Sequence, residues 1–126
     1  MSAVLVDSSI FIASWRGDTT AHAFLLRAAP DIRLHPVVEA ELLCGARDAA
    51  HLREITTLLD LMPRVAIKNA DMTAAIGLLR THYLSQKIGW ADCVIAATCL
   101  RLGLRLATLN ARHFRVIRGL RTQQPT

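Results

Sequence analysis

Three acids in this chain stand where a charge is costly. Asp7 closes the short apolar run Ala3–Asp7. Glu41 lies inside Val37-Val38-Glu39-Ala40-Glu41-Leu42-Leu43, and Asp92 opens a stretch otherwise apolar through Leu100. A carboxylate in apolar surroundings carries a desolvation penalty unless something offsets it. One divalent cation offsets three at once. Oxygen ligands with no matching His or Cys pair select Mg²⁺ or Mn²⁺ over Zn²⁺. Such an ion lowers the pKa of bound water and acts as a Lewis acid, the chemistry of a metal-assisted hydrolysis. Each acid also has an ordinary use. Asp7 can cap a helix, and Asp92 can complement a helix dipole. Glu39 and Glu41 differ by two positions and face different sides of a helix, so one is solvated; spacing alone does not say which.

The elements that must hold these acids alternate. Ala3–Asp7 reads as a buried strand. Ser8 or Ser9 can cap a short helix through Trp15, with Gly17 as its stop. Asp18 or Thr19 can cap a second helix that Pro30 ends. Ile32–Leu34 is a strand candidate, and Pro36 suits the first turn of a helix to about Ala46. A helix from Asp48 to about Leu61 follows, then Val65–Ile67 as another strand after Pro63. Asn69 can cap a long helix whose Met72, Ile76, Leu79 and Tyr83 recur at helical spacing, with Gly89 after its end. A helix over about Trp90–Leu102 stops at Gly103. Leu104–Thr108 reads as a strand, Ala111–Phe114 as a turn of helix and Val116–Ile117 as a last edge strand. Strands alternating with helices imply an α/β chain with a parallel sheet covered on both faces. In such sheets ligands collect at the carboxyl ends of the strands.

Charge is divided along the chain. Up to Asp92 there are 9 basic and 10 acidic residues; beyond it stand Arg101, Arg105, Arg112, Arg115, Arg118 and Arg121 and no acid. The formal charge of +5 therefore belongs to the last quarter. Arginine's planar fork suits phosphate oxygens, although a solvated basic face is the plainer reading of any one of them.

Composition narrows the class. At 126 residues, one domain is expected and no disulfide or zinc staple is needed. An apolar fraction of 52% excludes a disordered chain and suggests apolar surface buried against another chain. Six aromatics poorly supply a stacking platform. No run is long enough to span a membrane and no signal-peptide pattern opens the chain. Cys44, Cys93 and Cys99 show no CxxC spacing; they read as reduced thiols of the cytoplasm, buried as small hydrophobes. The five histidines show no HxH or HExxH pattern, so packing or surface roles are expected. Trp90 is expected at a pocket rim.

The same residues carry a family resemblance. Asp7-Ser8-Ser9 after the first strand resembles the opening Asp-x-Ser of PIN-domain nucleases. Ala40-Glu41-Leu42-Leu43-Cys44-Gly45-Ala46 is similar to the Ala-Glu-Leu-x-x-Gly segment of VapC-type toxins. Ala91-Asp92-Cys93-Val94-Ile95-Ala96-Ala97 resembles the helix bearing the family's third acid, and Thr108-Leu109-Asn110-Ala111-Arg112-His113-Phe114 its Thr-x-Asn-x-x-x-Phe segment, with Gly119-Leu120 following. The four segments fall in order over nearly the whole chain, and they select Glu41 over Glu39.

The resemblance implies a three-layer α/β/α PIN fold over residues 1–126, with a mainly parallel sheet of four to five strands. It implies metal-dependent RNA cleavage, with Asp7, Glu41 and Asp92 holding Mg²⁺ or Mn²⁺. Asn110 matches a position that many relatives fill with an acid, which leaves the metal count open. Ser9 and Thr108 are expected supports, and Arg112 and Arg115 are expected to grip RNA phosphates. Clustered acids repel when empty, so the site is expected to be looser without metal. The implied partners are RNA, a cognate VapB-type antitoxin that wraps the toxin, and a second copy of the chain. Ile10–Ala13 and Leu58–Met62 leave room for protein contacts, with core as the plainer reading. The alternative is a catalytically inactive PIN-like module for RNA binding or assembly.

Overall fold

The sheet begins with a three-residue strand buried at every position, β1 (Val4–Val6). Consecutive buried side chains point to opposite faces, so both faces of the sheet are covered. The computed structural model describes residues 2–126. Around β1 lie β2 (Ile32–Arg33), β3 (Arg105–Ala107) and β4 (Thr122–Gln123), in the order β2-β1-β3-β4. All three pairings are parallel, with Val4 opposite Ile32 and Arg105, and Leu106 opposite Thr122. The helices among the described residues are α1 (Ser8–Trp15), α2 (Thr19–Ala28), α3 (Pro36–Leu43), α4 (Ala49–Leu59), α5 (Asn69–Gln86), α6 (Trp90–Leu102) and α7 (Ala111–Phe114). None is long and apolar enough to cross a membrane.

Local chemistry sets most helix ends. Asp7, Asp18 and Asp48 cap α1, α2 and α4 by accepting the N–H of Ser8, Ala21 and His51. The cap of α1 is therefore Asp7, not Ser8 or Ser9. Pro36 opens α3, where its missing N–H costs nothing. Gly103 ends α6 at φ 67°, a left-handed conformation that glycine adopts without strain.

α6 is the central helix. Cys93 through Cys99 are seven consecutive buried residues, so its middle is enclosed all round. It packs most extensively on α5 and also meets α3 and β3. Cys93 and Cys99 are buried as expected, and burial pushes the Cys99 thiol up to about 12. Cys44 is exposed, against expectation. It lies at the C-terminal cap of α3, one residue beyond the last turn, on the side away from Val38 and Leu42.

Two expected strands are absent. Val65–Ile67 forms no ladder; one parallel bridge joins Leu34 to Arg64, closed by Leu34 N–H to Pro63 O (2.8 Å) and Val65 N–H to Leu34 O (2.9 Å). Val65 and Ile67 pack on the core while Ala66 faces out, so the alternation is real but has no partner strand. Val116–Ile117 lies in a turn, with Ile117 pointing into the core. The edge strand is instead the polar pair Thr122–Gln123. The cap of α5 is Lys68 rather than Asn69, and Gly89 caps the start of α6 rather than ending α5. Met72, Ile76 and Tyr83 of α5 are largely exposed, and the residues it buries are Asp71 and Ala75.

Candidate acidic site at the strand ends

Asp7 sits just beyond the C-terminal end of β1 and is nearly fully buried. Its backbone continues the sheet, donating N–H to Ala107 O at 2.9 Å. Its carboxylate accepts three hydrogen bonds from neighbours, one on Oδ1 and two on Oδ2. Oδ1 accepts the Ser8 N–H at 2.9 Å. Oδ2 accepts the Ser9 hydroxyl at 2.9 Å and the Thr108 hydroxyl at 2.8 Å. Ser9 Oγ also accepts Leu109 N–H at 3.1 Å, and Thr108 Oγ1 accepts Asn110 N–H at 3.0 Å. Ser9 and Thr108 therefore bind Asp7 and, through the same oxygens, draw the loop after β3 onto the end of β1. The hydroxyl of Thr108 is fully buried for this purpose.

Glu39 and Glu41 part ways on α3. Glu39 turns toward the Pro63 turn, where Arg64 clasps both its oxygens, Nε to Oε1 at 2.9 Å and Nη2 to Oε2 at 2.6 Å. Hydrogen bonding from Arg64 lowers its pKa. Glu41 faces the other way. Its Oε1 receives the Ser8 hydroxyl at a long 3.5 Å. Glu41 is exposed, not enclosed as the apolar sequence around it suggested, yet desolvation on the side facing the protein raises its pKa first, and the charges of Asp7 and Asp92 raise it further. Asp92, the third residue of α6, is raised in the same way by burial and then by Asp7. Three carboxylates thus share one field from three different elements, with no arginine or lysine among the described residues paired to any of them.

Among the described residues, the basic side chain set against the cluster is His113 on α7, whose Nδ1 lies 4.0 Å from Asp92 Oδ2; when the ring is protonated its charge opposes the rise at Asp92. Sequence reasoning missed His113 because histidine spacing carried no signal. Its position in the Thr108–Phe114 segment, one residue after Arg112, was the clue available. Ser8 was read only as a cap, yet its hydroxyl is the one directed at Glu41. Asn110 is exposed at the N-terminal end of α7 and makes no side-chain cap. Arg112 and Arg115 are exposed on and beside α7, and neither forms an ion pair among the described residues.

The donor set suits a hard divalent cation by kind: oxygen only, with uncompensated negative charge. As placed, no three His, Cys, Asp or Glu side chains among the described residues stand close enough together to ligate one ion. Mutual repulsion favours such an open arrangement.

A four-stranded parallel sheet in the order β2-β1-β3-β4, with acids from β1, α3 and α6 sharing one field at its carboxyl edge, defines a class. The PIN-domain family model matches residues 4–120, and the chain belongs to that family. It is also 35% identical over 121 residues to the ribonuclease VapC10 of Mycobacterium tuberculosis, across 94% of this chain and 90% of the relative. Solved structures agree on the fold. The DNA-bound VapBC of Salmonella typhimurium superposes with a TM-score of 0.80 at 18% identity, covering 98% of each chain. A toxin–antitoxin complex from Klebsiella pneumoniae gives 0.78 at 22% identity, covering 94% of this chain and 95% of that one.

Proposed function

We propose that this chain, as one PIN domain over residues 1–126, is a metal-dependent endoribonuclease and the toxin of a toxin–antitoxin pair. The observation that carries the chemistry is the shared field of Asp7, Glu41 and Asp92, in which Glu41 and Asp92 are both held above their ordinary pKa with no arginine or lysine paired to them among the described residues. These three residues would hold Mg²⁺ or Mn²⁺, which supplies an activated water and neutralises charge building on the phosphate. Ser9 and Thr108 fix the Asp7 carboxylate, so that its orientation does not depend on the ion. Asn110 adds a neutral oxygen at the rim. Arg112 and Arg115 grip flanking phosphates of RNA, offsetting the repulsion an acidic pocket exerts on a polyanion.

Two apolar exposures support protein partners. Ile10 and Phe11 belong to the core, but Leu58 and Leu61 are exposed. They line a groove of about 360 Å³ with Phe11, Trp15, Leu26 and Met62. This groove suits an apolar segment of a cognate antitoxin, consistent with the family's occurrence in toxin–antitoxin complexes. The stripe Met72, Ile76 and Tyr83 on α5 suits a second copy of the chain. The reduced thiols suit the cytoplasm.

The test is cleavage of RNA by purified protein with Mg²⁺ or Mn²⁺, with chelator, and with Asp7→Ala. Cleavage is expected only from the parent protein with metal. Equal cleavage by the variant, or cleavage surviving full chelation, sinks the mechanism. RNA binding without cleavage, together with no thermal shift in millimolar Mn²⁺, favours the inactive module instead. Arg112→Ala is expected to reduce the salt dependence of RNA binding by about one charge.

A further inference from the structure

The buried polar groups that the acidic site does not use form one connected chain. His35 is fully buried at the start of α3. Its Nδ1 accepts the Val37 N–H at 3.0 Å, which makes Nε2 the protonated nitrogen of the neutral ring. Nε2 lies 3.0 Å from Thr98 Oγ1, in the middle of α6. Burial lowers the His35 pKa to about 4, so the ring is neutral at pH 7 and this tautomer holds. Thr98 receives that proton and donates its own onward, to Asp71 Oδ2 at 3.1 Å or to Val94 O at 3.1 Å. Asp71, on the first turn of α5, is clamped by Arg101, Nε to Oδ1 at 2.7 Å and Nη2 to Oδ2 at 3.0 Å, and accepts Lys68 N–H at 3.0 Å. No buried side-chain polar atom among the described residues is left without a partner.

Position gives this chain a consequence. His35 precedes Glu41 by six residues on α3, and Thr98 follows Asp92 by six on α6. α3 has only eight residues; it fully buries Val38 and Leu42, packs Val37 and Leu43 partly against the core, and is tied at Glu39 to Arg64. Apolar contacts are non-directional and let a short helix tilt and slide; a buried, directional hydrogen bond at its end resists that. We propose that His35 and Thr98 are positioning residues, whose hydrogen bond fixes α3 on α6 and thereby sets the separation of the Glu41 and Asp92 carboxylates, two of the residues that would hold the metal. The proposal rests on the metal-nuclease reading above. Asp71 and Arg101 anchor the far end, fixing the direction in which the Thr98 hydroxyl donates.

Thr98→Val keeps the side-chain shape, removes the hydroxyl and strands the His35 Nε2 proton. Thr98→Ser restores the hydroxyl. His35→Asn retains a capping oxygen for Val37 and is too short to reach Thr98. Ile55→Val, in the core of α4, is a control for lost stability away from the chain. The readouts are metal-free crystal structures and Mn²⁺ affinity by calorimetry, at a temperature where circular dichroism shows every variant folded. Thr98→Val and His35→Asn are expected to weaken Mn²⁺ binding about tenfold or more, with Thr98→Ser and Ile55→Val within about twofold of the parent. Both weakened variants are expected to shift the Glu41 carboxylate relative to Asp92 by about 1 Å. An unchanged separation, or Mn²⁺ affinity within about twofold in both, overturns the positioning role and leaves the chain a stability element. Failure of the parent protein to bind Mn²⁺ overturns the metal reading instead, and the crystal structures still decide whether the bond positions Glu41. If Thr98→Val does not fold, His35→Asn decides alone.

Discussion

Asp71 and Asp92 occupy the same place on neighbouring helices, the third residue of α5 and of α6, and meet opposite fates. Asp71 is 1% exposed and saturated by Arg101, Thr98 and the Lys68 N–H. Those bonds, led by Arg101, hold its carboxyl down at about 2 despite burial. Asp92 is more open, at 29% side-chain exposure, yet burial and Asp7 push its carboxyl up. Exposure alone would predict the reverse. Partners decide the outcome: a carboxylate given donors is stable as an anion, and one given other carboxylates is not. The first arrangement contributes to the fold, whereas the second leaves its negative charge uncompensated by an arginine or lysine among the described residues.

The largest expected effect separates the two acids by activity. Asp92→Asn should lower RNA cleavage by about a thousandfold or more while raising the metal-free melting temperature, because it removes a charge the fold disfavours. A lower melting temperature for this variant would place Asp92 with Asp71 as a structural acid. Asp71→Ala should cost about 3 kcal/mol in urea unfolding, since it removes the carboxylate that clamps Arg101 and leaves Thr98 only the Val94 carbonyl as acceptor. A loss below about 1 kcal/mol would mean that Arg101 finds water as readily as it found Asp71.

The pH profile sharpens the contrast further. His35 titrates at about 4 folded and near 6.5 unfolded. The native state therefore binds fewer protons across that window, and stability falls as pH drops from 6.5 to 4, by roughly 3 kcal/mol in total. Asp71, depressed to about 2, adds its loss only below its unfolded value of 3.8. Glu41 and Asp92 act with the opposite sign, because protonating them in the acid range relieves the folded state. Urea unfolding at pH 7, 5.5 and 4.5 should show the decline, and His35→Asn should flatten it. A parent profile flat across that window would mean that His35 charges without cost. The smallest effect belongs to the other glutamate. Glu39→Gln should cost about 0.5 kcal/mol, as a partly solvated ion pair with Arg64, and leave cleavage within about twofold. A cleavage defect there would move the site across α3.

Much of this was legible in the residues. The acid ending β1, the caps Asp18 and Asp48, Pro36 at the start of α3 and the short helix Ala111–Phe114 all follow from local rules. Other features were not. β4 is polar, so hydropathy pointed to Val116–Ile117 instead; backbone bonds such as Thr108 N–H to Gln123 O define it. The apolar spacing of α5 predicted a buried stripe, but the face that α6 covers is the one bearing Asp71 and Ala75. Two glutamates on one short helix were chemically equivalent until Arg64 claimed Glu39.

The sequence by itself determined the alternation of strands and helices, the near-neutral body with its basic last quarter, and the four segments that resemble the PIN family. These depend on residue type and near spacing, which act within a few residues of each other. Only the tertiary structure decided which acids are paired and which are left to share a field. Asp7 meets Thr108 across 101 residues of the chain, and His35 meets Thr98 across 63. Desolvation and charge coupling depend on distance in space, and separation along the chain does not report it.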